Sequence, residues 1–132
     1  SALRAHACSV AIHSELAAML RAGTAAADLY RRAADLADRA GLSPYFMGHR
    51  QQAGFVGHGV GIEVNEAPVL APRSRDVLAT GNVVAIEPKF VIPGIGAVGI
   101  ENTYYVGADG AECLTPAPTE IIDLTQPTSP HL

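Results

Sequence analysis

The chain has 132 residues, 48% hydrophobic and 17% charged, with a net charge of −4, a composition that builds a folded core and excludes a disordered protein. Nine Lys and Arg in all argue against nucleic acid as a partner, because such proteins carry a basic footprint, and the apolar runs are too short to span a membrane. No charged segment followed by an apolar one opens the sequence, so no signal peptide is visible, and two widely separated cysteines, Cys8 and Cys113, read as free thiols of a reducing cytoplasm.

Residues 3–21 are predicted to form a helix, with Leu3, Ala7, Val10, Ala11, Ser14, Ala17, Ala18 and Leu20 near helical spacing. Gly23 ends it, and Thr24 is placed to N-cap a second helix running to about Ala40. Leu29, Ala33, Leu36, Ala37 and Ala40 form the inner side of that helix. Asp28 with Arg32, and Asp35 with Arg39, form i,i+4 pairs on its wet side, and Gly41 stops it.

From residue 42 Gly and Pro punctuate short β-rich runs, and strands are expected near 53–58, 61–65, 83–91, 98–106 and 111–114. The segment from Thr115 holds four of the nine prolines and is expected to lie over the surface. Two N-terminal helices followed by a mostly antiparallel sheet is an α+β arrangement. The opening at Ser1, directly into helix-forming sequence without Met, reads as a fragment of a longer protein.

Residues 83–106, VVAIEPKFVIPGIGAVGIENTYYV, read as two apolar strands about a Pro-Gly-rich turn. If the hairpin centres on Gly94, Glu87 and Glu101 lie opposite each other, with Cβ atoms ~4.5–5.5 Å apart on one face. Both sit inside apolar runs, so that face is expected to be buried, and two buried carboxylates at that distance repel. A shared proton or a bound cation relieves them. A second cluster, FVGHGVGIEVNEAP at 55–68, surrounds His58 with Gly57, Gly59 and Gly61, which suits an imidazole presented into a cleft. One imidazole with two carboxylates is a ligand set for Mn, Co, Fe or Zn; a satisfied core histidine beside a protonated acid pair is the bland alternative.

GHGVGIEVNEAP, then AIEP, then GIEN followed by TYYV resemble the C-terminal half of the pita-bread peptidases. That family includes methionine aminopeptidase, aminopeptidase P and prolidase, with creatinase as a metal-free relative. The two leading helices with the AGT turn between them, and DGAECLT near the end, also fit. The resemblance implies half of a pita-bread fold and two divalent metal ions in the full-length protein. His58 would ligate one ion, Glu87 would ligate and relay a proton, and Glu101 would bridge both. The implied reaction is hydrolysis by a hydroxide held between the ions, on short peptides near their N-terminus, with Xaa-Pro bonds foremost.

The chain departs from the pattern in four ways. The family's two aspartate ligands have no match here and are expected upstream, so the fragment alone is expected to be inactive, with metal bound weakly or not at all. Asn65 stands where many members have a substrate-contacting histidine. Gly99 stands where many Xaa-Pro peptidases carry an arginine, and Asn102 follows the last Glu where an acid is common. His49 is a candidate substrate contact. His6 and His13, seven apart on the first helix, are weaker metal candidates, and His131 lies in the tail. Glu66 is assigned a structural or supporting role and Glu63 a surface one. A non-catalytic binding module and a creatinase-like, metal-free hydrolase stand as alternatives. A fragment with uncovered strand edges is expected to dimerise or swap domains.

Overall fold

The computed structural model describes residues 1–125. Among these residues two α-helices, α1 (Ala2–Met19) and α2 (Ala26–Arg39), pack together and precede nine strands. They are β1 (Gly48–His49), β2 (Gln51–Gln52), β3 (Gly57–Gly59), β4 (Glu66–Val69), β5 (Val83–Ile86), β6 (Lys89–Ile92), β7 (Gly96–Gly99), β8 (Asn102–Val106) and β9 (Ala111–Cys113). The main sheet runs β4-β3-β5-β8-β9, antiparallel throughout, with two small two-stranded sheets beside it, β6-β7 and β1-β2. This is the expected α+β arrangement of two helices followed by an antiparallel sheet. No helix among the described residues is long and apolar enough to cross a membrane.

Helix α1 buries a different face from the one its spacing predicts. Ala5, Ser9, Ile12, His13 and Leu16 are buried, whereas Leu3, Ala7, Ala11, Ser14 and Ala18 are exposed. Alanines lie all round this helix, so the choice of face falls to its few large residues; Ile12 and Leu16 win because they fill the space over β5, β6 and β7.

Helix α2 buries Ala26, Ala27, Leu29, Ala33 and Ala37, the side expected, with Leu36 and Ala40 half-buried. Thr24 is not its N-cap. Ala25 is, and the Thr24 hydroxyl turns back to donate to the Met19 carbonyl, 2.8 Å away, satisfying the open end of α1. Gly41, at φ +70°, closes α2 as expected, its N–H on Asp38 O and that of Leu42 on Ala37 O. Asp35 pairs with Arg39 at 3.0 Å, but Asp28 takes Arg31 at 2.5 Å, one residue nearer than expected. Arg32 instead reaches Glu15 on α1 at 2.7 Å. These exposed pairs contribute about 0–1 kcal/mol each.

Four strand expectations are corrected. The strand expected at 53–58 begins only at Gly57, residues 53–56 being a bent approach to it. The segment 61–65 is a bent, exposed loop: the Gly61 N–H donates to Glu63 O, and the Glu63 N–H donates to the Glu66 carboxylate. It closes on itself and the strand begins at Glu66. The runs 83–91 and 98–106 are each broken in two, at Glu87–Pro88 and Ile100–Glu101. β5 and β8 pair in the main sheet, and β6 and β7 pair as a separate hairpin. Pro88, buried and without an N–H, cannot continue the ladder.

Between the helices and the strands the core gathers Ile12, Leu16, Leu20, Leu29, Leu70, Leu78, Val84, Ile86, Phe90 and Val106. The segment after β9 stays on the surface through Thr125, as expected, tied down where Thr115 Oγ1 accepts from Thr103 N–H at 2.9 Å and where Thr119 O meets His6 Nε2 at 2.6 Å. His131 lies outside the described residues.

Candidate metal centre

His58, Glu87 and Glu101 converge: each offers one ligand atom, and these atoms lie within 4.8 Å of one another. His58 is central in β3, between β4 and β5. Glycine is required on both sides of it, because a Cβ at Gly57 would stand 2.4 Å from Ala85 O and one at Gly59 would stand 2.2 Å from Ala67 O. A register shift between His58 and Gly59, where β3 meets β4, turns the strand locally beside the imidazole.

The pairing Ile86↔Asn102 and Lys89↔Gly99 continues through the strand break, so Glu87 and Glu101 face each other about Gly94 as the hairpin symmetry predicts. Their burial differs from expectation. Glu87 is nearly buried, its side chain 13% exposed, and its N–H donates to Val56 O at 3.0 Å. Glu101 is exposed, because the chain leaves the sheet at that residue and opens one side of it to solvent. Its carboxyl is nevertheless held above the usual range, first by partial loss of water and next by the Glu87 carboxylate, while Lys89 and His58 act the other way.

The imidazole is oriented by its backbone. His58 Nδ1 lies 3.0 Å from Gly59 O, an acceptor only, so that bond places the ring proton on Nδ1 and leaves a lone pair on Nε2. Nε2 points at Glu87 Oε2, 3.4 Å away. Two acceptors facing each other need a proton or a cation between them. The second Glu87 oxygen, Oε1, receives Lys89 Nζ at 3.1 Å. The donor set, its spacing and this tautomer fit a borderline divalent ion, with the Gly59 carbonyl as the outer partner that metal-ligating histidines ordinarily have.

Glu87, Lys89, Ala97, Gly99, Ile100 and Glu101 line a cleft of about 210 Å³ at this cluster. Sequence reasoning passed over Lys89, although its place opposite Gly99 follows from the same hairpin symmetry that pairs the glutamates. Position 99, lacking the arginine common in the resembling family, has no room for any side chain: a Cβ there would lie 2.5 Å from Pro88 O and 2.6 Å from Lys89 Cβ.

The other candidates lie apart from the cluster. His49, in β1, stacks on Tyr45 with ring centroids 5.6 Å apart; its Nδ1 is buried without a hydrogen-bond partner among the described residues. Asn65 is exposed in the loop after β3, and Glu63 lies exposed beside it. Glu66 organises that loop through the Glu63 N–H, in keeping with a structural role. His6 and His13 go separate ways, His6 to Thr119 O and His13 into the core, where Nε2 lies 3.4 Å from both the Asn102 amide and Tyr104 Oη. Burial lowers the His13 pKa. The two cysteines are free thiols, and burial raises that of Cys8.

Residues 1–108 match metallopeptidase family M24. A Bacillus subtilis protein described as an uncharacterized peptidase, YqhT, is 40% identical over 84 residues, which are 64% of this chain and 22% of that protein. A Xaa-Pro dipeptidase of Pyrococcus horikoshii is 43% identical over 67 residues, 51% of this chain and 19% of that one. Among solved structures, the prolidase of Pyrococcus horikoshii superposes with a TM-score of 0.80 at 30% identity, covering 89% of this chain and 32% of that one. The chain thus spans about a fifth of the curated relatives named here and about a third of the prolidase structure.

Proposed function

The chain belongs to metallopeptidase family M24, and on that premise we propose that it is part of an enzyme that hydrolyses the N-terminal peptide bond of short peptides, Xaa-Pro bonds foremost, at a two-metal centre. The observation that carries this reading is the convergence of His58, Glu87 and Glu101, with the His58 Nε2 lone pair turned to Glu87 Oε2 at 3.4 Å. The Xaa-Pro dipeptidase and prolidase among its relatives support the substrate class.

In this reading His58 through Nε2, Glu87 through its carboxylate and Glu101 from the open side would hold the divalent ions. Mn, Co, Fe and Zn all suit these donors. When bound, such an ion supplies Lewis acidity toward a carbonyl and makes water acidic enough to deprotonate near neutrality. Glu87 takes the proton from the attacking water and returns it to the leaving amine, a task that suits a nearly buried carboxylate at the reacting bond. Asn65, from the loop after β3, and His49, from β1, contact the substrate, Asn65 through hydrogen bonds alone.

Three ligands do not hold two ions, so the remaining donors belong to a segment outside residues 1–132, which by themselves bind metal weakly and hydrolyse nothing. The test compares the protein carrying this chain, with and without chelator, on Ala-Pro. Hydrolysis restored by Mn²⁺ or Co²⁺ supports the reading. Hydrolysis indifferent to the chelator moves it to the metal-free alternative, and absence of hydrolysis with metal bound moves it to a binding module.

A further inference from the structure

Helix α1 turns two buried polar side chains, Ser9 and His13, toward the strands that carry the glutamates. They stand one turn apart and so lie on one face of the helix, which packs on β5, β6 and β7. A hydroxyl and an imidazole away from water cost free energy unless they are paired. The Ser9 hydroxyl donates to the carbonyl of Pro88, the residue after Glu87. His13 Nε2 lies 3.4 Å from the amide of Asn102, the residue after Glu101, and 3.4 Å from Tyr104 Oη.

The Asn102 amide passes this hold on to Glu101. Its far end faces the Thr115 carbonyl, an acceptor only, so the amide nitrogen stands there. From that place the nitrogen donates to Thr115 O and to Thr115 Oγ1 at 3.0 Å, and reaches Glu101 O at 3.3 Å. The oxygen end of the amide then faces His13, which makes Nε2 the donor of that contact. The backbone ladder leaves the same region open. Ile86 pairs with Asn102, and the next pairing is Lys89 with Gly99. Both glutamates fall in the gap between these two rungs, where the sheet alone does not fix their separation.

We infer that Ser9 and His13 are positioning residues that together set the spacing of the Glu87 and Glu101 carboxylates; this rests on the metal-centre reading above. Neither is a ligand. Each grips the chain one residue beyond a glutamate, and the helix between them acts as a rigid spacer. The hold matters more for Glu101, which is exposed where the chain leaves the sheet, than for Glu87, whose N–H is already tied to Val56 O at 3.0 Å. Because one helix holds both ends, freeing either end releases the spacing. The two residues therefore act as one device and not as two separate core contacts.

The experiment titrates Co²⁺ into the protein carrying this chain and follows its visible absorption, with Tm and hydrolysis of Ala-Pro measured alongside. Ser9→Ala and His13→Leu should each weaken Co²⁺ by about 10- to 100-fold, the range for losing a group that orients a ligand, and shift the absorption bands. His13→Gln keeps an N–H donor and should keep affinity and spectrum near wild type. Ile12→Val removes a methylene from the same buried face, and should lower Tm without moving either. Ser9→Ala with His13→Leu should lose little more Co²⁺ affinity than either change alone, whereas independent effects add. Should His13→Leu not fold, Ser9→Ala against Ile12→Val carries the test. Additive losses, an unshifted spectrum in Ser9→Ala, or an equal loss of affinity in Ile12→Val overturns the inference and leaves the peptidase reading intact. The expected shifts without hydrolysis of Ala-Pro sink the peptidase reading and keep the inference. A wild-type protein that takes up no Co²⁺ overturns both.

Discussion

The Ser9 hydroxyl, wholly buried on α1, donates its hydrogen bond to the carbonyl of Pro88. That carbonyl belongs to the residue after Glu87, at the point where the chain leaves the main sheet for the β6-β7 hairpin. The helix thereby fixes the strand break that aims Glu87 at His58. Ser9→Ala should leave the carbonyl unpaired at a cost of about 1–3 kcal/mol. We expect a lower Tm and weaker binding of Co²⁺. Lost stability with unchanged Co²⁺ affinity would mean that Ser9 holds the fold but not the site.

Glu87→Gln keeps the shape of the side chain and removes its charge. The metal loses a ligand and the leaving amine loses its proton donor, so kcat/KM should fall by about 10²–10⁴-fold. Lys89 loses its partner at 3.1 Å in the same change. A calorimetric Mn²⁺ titration beside the kinetics separates the two effects. Full metal affinity and full activity in the variant would remove Glu87 from the centre.

The opposition of Glu87 and Glu101 was legible because a hairpin's register is fixed by its turn, and counting from Gly94 gives the same pairs that the strands make. Their unequal exposure was not legible, because it depends on the break at Pro88 and on Ser9 from a helix far away in sequence. The loop 61–65 looks like a strand by alternation, yet the Glu66 carboxylate and the Gly61 and Glu63 amides close it locally. The buried face of α1 could not be read from alanines that lie on every side. The place of Lys89 follows from the same count that pairs the glutamates, since it lies opposite Gly99.

Residues 1–132 on their own should self-associate. The edge strands are blunted, β4 by Pro68 and β9 by its length of three residues and Glu112, so pairing of edges is not the expected route. The apolar residues of the loop after β3 are: Ile62 and Val64 are 103% and 82% exposed. Light scattering should give a mass above that of one chain, and Ile62→Ser with Val64→Ser should return it to one chain. A monomer before any substitution would show that these residues tolerate water.

His13 predicts how stability depends on pH. Burial holds its imidazole below the ordinary pKa of 6.5, among Tyr104, Asn102 and the core side of α1. In the unfolded chain the ring takes up a proton near pH 6.5; in the folded chain it does so only at lower pH. Between these two values the unfolded state binds more protons, so stability falls as pH drops, and it levels off below the folded value. Above pH 6.5 the contribution is constant. His13→Gln is uncharged throughout and removes this component, leaving those of other groups. The difference in unfolding free energy between wild type and variant, from urea titrations at a series of pH values, should therefore slope below pH 6.5 by at most about 1.4 kcal/mol per pH unit, the limit for one proton. A difference that is flat from pH 7 to pH 5 would mean that His13 protonates in place, with its partners rearranging to accept the charge.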